Sequence, residues 1–235
     1  MDRRHFIKLC GTTLLLVRSQ ARAWASEPAA PLQRYARVAL VDGEGRPVRA
    51  AKLAKDETYV FFYPYAGTPC YLIRLGTLIE SENLTTADGR RYDWTGGVGP
   101  GRDVVAYSAI CSHLMTHPTR AASFINYHAA ADELSGRRNV ITCCAHGSVF
   151  DPARGAKVIA GPAPQPLAAI ALEHDPSSDG LFAIGTFGGE QFREFFKDFK
   201  RELRDEFGRG QAKQAVDGQA VVVPLAEYSR QRIHC

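Results

Sequence analysis

Two short boxes constrain this chain more than anything else in it. Cys111-Ser112-His113 places a cysteine and a histidine one residue apart, and Cys143-Cys144-Ala145-His146 places the same pair two residues apart. Residues 114–142, 29 in all, separate the boxes. Thiolates and imidazoles are ligands for transition metals, so the fold has to deliver two distant loops to one point. Zinc takes the same residue types but groups them as C-x₂₋₄-C and H-x₃₋₅-H. Here each box mixes one Cys with one His, which argues against zinc.

Further residues extend both boxes. The segment Val105-Ala106-Tyr107-Ser108-Ala109-Ile110-Cys111-Ser112-His113-Leu114 resembles the first cluster-binding loop of cytochrome bc-type Rieske proteins, and His146-Gly147-Ser148-Val149-Phe150-Asp151 resembles the second. Gly161-Pro162-Ala163-Pro164 is similar to the proline loop that covers the cluster in that family. The resemblance spans roughly residues 104–186 and weakens upstream towards residue 36. It implies an all-β fold of small stacked antiparallel sheets and one [2Fe–2S] cluster per chain. Cys111 and Cys143 would bind the inner iron, His113 and His146 the outer, solvent-facing iron, and the Ser148 hydroxyl a bridging sulfide.

The ligand set dictates the chemistry. Two ferric irons, two sulfides, two thiolates and two neutral imidazoles sum to zero charge, whereas four thiolates would leave minus two. A neutral cluster accepts an electron more readily, so Rieske centres lie at about −150 to +300 mV against about −400 mV for plant-type ferredoxins. The imidazole N–H groups also allow electron uptake to be coupled to proton uptake. The implied role is single-electron transfer, not hydrolysis or nucleic-acid binding.

Three departures from the family pattern stand out. Respiratory members join their two loops by a disulfide whose cysteines fall at Thr116 and Ala145 here. A staple of this kind contributes roughly 3 kcal/mol, so packing has to hold these loops instead. Phe150 occupies the position of a tyrosine that donates to a ligand sulfur. With Ser148 kept and that donor lost, the expected potential lies below the top of the Rieske range. The stretch between the boxes is long, and residues 117–138 read as an extra loop or short helix near the cluster.

The beginning of the sequence carries an address. Asp2-Arg3-Arg4-His5-Phe6-Ile7-Lys8 resembles a twin-arginine export signal. The apolar run Leu9–Val17 follows, and Ala23-Trp24-Ala25 offers a cleavage site before Ser26. A protein that receives its cluster in the cytoplasm must cross the membrane folded, which suits that route. A nine-residue run is short of the about 20 needed to span a bilayer. The reading is therefore cleavage and a periplasmic protein; the alternative is a retained, membrane-anchored signal facing the periplasm. Of 29 Lys+Arg and 25 Asp+Glu, residues 1–25 hold five basic groups and one acid. The remainder is balanced at 24 of each, which removes the case for a nucleic-acid partner.

The expected domains are 1–25 (signal), 26–188 (Rieske domain, with the cluster-binding part at about 104–168) and 189–235 (amphipathic helix and tail). Expected strands are Arg37–Val41, a hairpin from Glu57–Pro64 and Cys70–Leu75, strands at Asp103–Ala109 and Asn139–Cys143, and a hairpin from Leu167–Glu173 and Gly180–Thr186. Residues 86–103, rich in Gly and polar groups, read as loop. Phe192, Phe195, Phe196, Phe199, Leu203 and Phe207 recur at helical spacing and Gly208 is a stop signal. That helix packs on the sheet core or docks a partner subunit or a membrane surface. Val221–Pro224 reads as an edge strand before an exposed tail. Beyond residue 25, the non-ligand cysteines are Cys70, Cys144 and Cys235, an odd number for an exported protein. Two of them pair, or Cys70 and Cys144 are buried thiols and Cys235 a mobile terminal residue. His117 is expected near the cluster, and His128, His174 and His234 at the surface.

The functional expectation is a periplasmic electron-transfer protein passing electrons to a c-type cytochrome or another redox protein, as a subunit of a quinol-oxidising or cytochrome-linked complex. The alternative is the relay subunit of an oxidoreductase such as an arsenite oxidase-like molybdenum enzyme. No independent catalytic site is expected. A Rieske oxygenase would need a further iron domain with a two-His-one-carboxylate site, for which about 210 residues leave no room. Membrane contact follows only if the signal is retained.

Overall fold

The strand Val104–Ser108 is buried along its whole length, and its alternation explains the architecture. Val104 and Ala106 point into one apolar core, while Val105 and Tyr107 point into a second. The neighbouring strand Pro69–Arg74 divides its side chains in the same way, with Cys70 and Leu72 on one face and Tyr71 and Ile73 on the other. Successive strand residues face opposite sides of a sheet, so a strand between two cores is apolar throughout.

The computed structural model describes residues 32–235. Its main sheet has eight strands in the order Gln219–Val221, Gln33–Val41, Gly180–Phe187, Ala169–Asp175, Val104–Ser108, Pro69–Arg74, Thr58–Phe62 and Val223–Pro224. The two edge strands are separated by Val222 alone. Val221 pairs with Val41 and Val223 with Val60, so one segment lies against both edges and the sheet curls closed on itself. Closure removes unpaired edges. The interior is filled by residues such as Leu40, Phe61, Leu72, Leu181 and Val222.

A second, four-stranded sheet sits on the outer core in the order Lys157–Ala160, Ser148–Asp151, Val140–Cys143 and Ile125–His128. Tyr71, Ile73 and Tyr107 from the closed sheet meet Ile125, Ile141 and Phe150 here. The Tyr107 hydroxyl donates to the Pro152 carbonyl at 2.6 Å, which ties the two layers together. The mostly-β expectation and both hairpins stand, at Thr58–Phe62 with Pro69–Arg74 and at Ala169–Asp175 with Gly180–Phe187.

Several details differ from expectation. Residues 86–103 are not all loop, because Arg91–Trp94 pairs with Glu82–Thr85. Tyr92 and Trp94 alternate inward and fill the outer core, which outweighs the surrounding glycines. Residues 117–138 contain two short strands, Ala122–Ser123 and Ile125–His128, and no helix. The expected single helix is two, Phe192–Asp198 and Lys200–Phe207, broken where Phe199 leaves helical geometry at φ −100° and ψ 24°. Gly208 ends the second as expected. Val221–Pro224 is split between opposite edges of the closed sheet instead of forming one edge strand. The twin-arginine segment lies outside the described residues. Among those described, no helix is long and apolar enough to cross a membrane.

Most of the helical phenylalanines form a core of their own, while Phe207 meets Phe62 of the closed sheet. Phe192, Phe195 and Phe196 join Ile110 and Met115, which flank the first box, in a separate cluster. His117 stands edge-on to Phe195 and Phe199, each centroid 4.8 Å away, and its Nδ1 lies 3.0 Å from the Met115 carbonyl. Burial lowers the affinity of this imidazole for a proton, against smaller opposing pulls from the Met115 carbonyl and Glu202.

The unfolded chain therefore binds a proton at His117 that the folded chain resists. Stability is full above the ordinary histidine value, about 6.5, and falls as pH drops through and below it. Urea unfolding between pH 7.5 and 5.5 is expected to show this loss, and His117→Gln to flatten the part due to this residue. An equally steep profile in the variant would assign the loss to other groups.

Candidate metal centre

Three loops meet at one end of the four-stranded sheet. The first leaves the closed sheet after Ser108 and turns at Cys111, where the Met115 amide donates to the Cys111 carbonyl at 2.9 Å and the Cys111 amide to the Thr116 carbonyl at 2.8 Å. The second is the hairpin between Val140–Cys143 and Ser148–Asp151. Cys143 pairs with Ser148 across its neck, and the Gly147 amide closes it onto the Cys143 carbonyl at 2.9 Å. The third is the Gly161–Pro166 stretch. The Ser112 hydroxyl donates to the Gln165 carbonyl at 2.6 Å, linking the first and third loops.

Gly161 shows how closely the second and third loops approach. Its φ is +86°, and a Cβ there would sit 2.2 Å from the Gly147 carbonyl oxygen and 2.6 Å from the Ser148 Cα. Both obstacles are backbone, so only glycine fits.

The arrangement brings the nominated side chains together. The His113 and His146 rings are 4.9 Å apart and nearly perpendicular. His146 is exposed and His113 half-buried, while Cys111 and Cys143 are buried beneath them. The two thiols interact directly. That contact, with the Ala145 amide and the Thr116 hydroxyl assisting against burial, draws the Cys143 thiol down to about 7, while Cys111 is pushed up by the same contact and by burial. The pair thus favours one thiolate, and the second thiol would lose its proton on binding a metal, because the thiolate is the ligand.

Two further atoms point the same way. His113 Nδ1 and the Ser148 hydroxyl oxygen are buried without a hydrogen-bond partner among the described residues. Such atoms cost about 1–3 kcal/mol each unless something satisfies them. A ring nitrogen lacking a partner suits an iron, and a hydroxyl lacking an acceptor suits a sulfide. The donor set and these two atoms fit a [2Fe–2S] cluster with mixed ligation. Phe150 is fully buried and supplies no hydroxyl.

The fold and this centre define a class, that of proteins with a Rieske [2Fe–2S] domain. Residues 91–171 match the model of the Rieske [2Fe–2S] domain, so this chain carries that domain and its Rieske-type cluster. The chain is 29% identical over 140 residues to an iodate reductase subunit IdrB of Denitromonas iodatirespirans, covering 60% of each protein. It is 26% identical over 189 residues to the IdrB of Pseudomonas sp. strain SCT, covering 80% of each. The fold resembles the soluble domain of Rieske protein II (soxF) from Sulfolobus acidocaldarius, with TM-score 0.50, 24% identity and coverage of 67% of this chain and 82% of that one.

Other site features were not read from the sequence. Gln165 pins the third loop on two further sides, accepting from the Ala87 amide at 2.9 Å and donating to the Gly189 carbonyl at 2.6 Å. Cys144 is bonded to Cys235, Cα to Cα 5.3 Å, so it is neither a free buried thiol nor is Cys235 a mobile end. Their odd count with Cys70 was the only signal, and Cys70 is the buried free thiol. His128 and His174 are largely enclosed, not surface residues. The first bonds Thr142 and the second Asp179, each at 2.8 Å.

Gly161→Ala is expected to force the second and third loops apart, so that iron per chain falls severalfold while the far-ultraviolet circular dichroism stays β-like. Full iron loading would show that the approach is not needed. Ser148→Ala is expected to lower the midpoint potential, on the order of tens of millivolts, by removing a donor to a cluster sulfur, and Phe150→Tyr to raise it. Protein-film voltammetry reads both, and unmoved potentials would mean that neither side chain addresses the cluster.

Proposed function

We propose that this chain is the electron-relay subunit of an oxidoreductase, with Cys111 and Cys143 holding the inner iron of its cluster and His113 and His146 the outer. When bound, the cluster takes up and releases one electron. The observation that carries a protein partner is the surface around the histidines. Of five exposed large apolar side chains among the described residues, three flank the ligand loops. Leu114 follows His113 directly and is 53% exposed. Phe124, 42% exposed, offers its carbonyl to the Cys144 amide at 2.7 Å. Leu134, 43% exposed, lies beside Gly147. Apolar groups gathered around an exposed ligand suit a docked protein that excludes water over the transfer path.

The relatives named as iodate reductase subunits support membership in a terminal oxidoreductase over the quinol-oxidising complex. The catalytic partner would be a molybdenum enzyme of the arsenite oxidase-like kind, with a c-type cytochrome at the other end of the relay. The twin-arginine-like segment supports a periplasmic location and export after folding. Membrane anchoring remains the alternative if the signal is retained.

The purified protein is expected to hold two irons and two acid-labile sulfides per chain and, when reduced, to give a Rieske-type electron paramagnetic resonance spectrum. Stoichiometric zinc would sink the ligand assignment. A tagged chain isolated from the periplasm of its own organism is expected to bring down a partner containing molybdenum in fixed ratio. A quinol-oxidising membrane complex in its place would restore the other reading. Replacing Arg3 and Arg4 with Lys is expected to leave the cluster-bearing protein in the cytoplasm, and unchanged export would exclude the twin-arginine route.

A further inference from the structure

The segment from Ser229 to Cys235 runs beside the ligand loops and ends on one of them. The Ser229 hydroxyl donates to the Thr119 carbonyl at 2.7 Å, and the Arg230 amide to the Arg120 carbonyl at 3.1 Å. Gln231–Arg232 pairs in parallel with Ala122–Ser123, and the Asn126 side chain donates to the Ile233 carbonyl at 2.8 Å. His234 stands edge-on to His128 with centroids 5.4 Å apart. Cys235 then joins Cys144, 91 residues away in sequence. Cys144 follows Cys143 directly and precedes His146 by two residues, so the bridge is anchored inside the second ligand box. The positions of the loop-to-loop bridge implied by the Rieske resemblance hold Thr116 and Ala145.

We propose that Cys144–Cys235 is a second redox centre of this protein, a disulfide whose two-electron exchange with a dithiol governs how firmly the second loop holds the cluster. Both cysteines are partly exposed, so a reductant can reach them. A thiolate of the dithiol attacks one sulfur, the S–S bond breaks, and the other cysteine leaves as thiolate and takes up a proton. The second thiol of the reagent then displaces the first cysteine from the mixed disulfide. The protein gains two electrons and two protons, and the dithiol becomes a cyclic disulfide. With the bridge open, residues 229–235 are held to segment 119–126 by hydrogen bonds alone. Cys143 and His146 then sit on a loop that keeps its neck, the bond from the Cys144 amide to the Phe124 carbonyl and the close approach of Gly161, but has lost its covalent tie to the tail. The bridge thus replaces, by a different connection, the support that a loop-to-loop bridge gives elsewhere.

The inference rests on Cys143 and His146 as ligands, and iron content before treatment tests that part separately. Cluster-loaded wild-type protein and Cys235→Ser are compared with and without dithiothreitol. Alkylation with iodoacetamide and mass spectrometry count the thiols, visible absorbance gives the cluster half-life, and amide exchange reports residues 119–126 and 229–235. Dithiothreitol is expected to expose Cys144 and Cys235 while iron is still bound. The half-life is then expected to fall about tenfold, in line with the loss of other support around a metal site. Amide exchange at Arg230 and Ile233 is expected to quicken. Cys235→Ser should match reduced wild type and gain nothing from the reagent, which separates bridge opening from any direct effect on the cluster. An unchanged half-life after proven reduction, or a disulfide that resists dithiothreitol while the cluster is bound, overturns the proposal. Should Cys235→Ser fail to accumulate, the wild-type arm decides alone.

Discussion

The ligand loops stay in place because a single strand is buried on both sides. Val104–Ser108 contributes Val104 and Ala106 to the inside of the closed sheet and Val105 and Tyr107 to the layer beneath the four-stranded sheet. The first ligand loop springs from its end. The Tyr107 hydroxyl reaches the Pro152 carbonyl, just past the strand that leaves the second loop. One strand thus fixes the spacing between two loops that are far apart in sequence. Burial of a two-faced apolar strand leaves little freedom of register, because a slip by one residue would exchange the two cores.

The contacts around the thiols divide the labour of preparing the site. Ala145 and Thr116 occupy the positions where a bridge would otherwise lie, yet both address Cys143, one through its amide and one through its hydroxyl. The first loop is held from behind by the phenylalanines of the two short helices, and the third loop by Gln165. Packing and hydrogen bonds therefore hold the first and third loops, while the second, which the sequence led one to expect held by packing as well, also carries a covalent tie.

Legibility of the fold followed the range of the interactions. The boxes, the proline loop and the two hairpins were readable because each is a local pattern. Arg91–Trp94 was hidden by neighbouring glycines, although its Tyr92 and Trp94 already alternate with polar residues. Ala122–Ser123 gains its pairing from Gln231–Arg232, more than a hundred residues on, which no local pattern announces. The break at Phe199 could not be foreseen from a periodicity that continues through it. Cys144–Cys235 left a trace only in cysteine parity, since pairing is decided by a fold that brings the second box to the tail.

The closure of the main sheet by residues 219–224 has a consequence for synthesis. During translation, six strands of the closed sheet and the four of its ligand layer emerge before the segment that joins the sheet's edges. Until Gln219–Pro224 is available, Gln33–Val41 and Thr58–Phe62 each present an open edge. Such edges are where nascent chains pair wrongly with one another. Contacts this remote in sequence also make folding slow. The emerging chain is therefore most exposed to pairing with its copies until residues 219–224 are made.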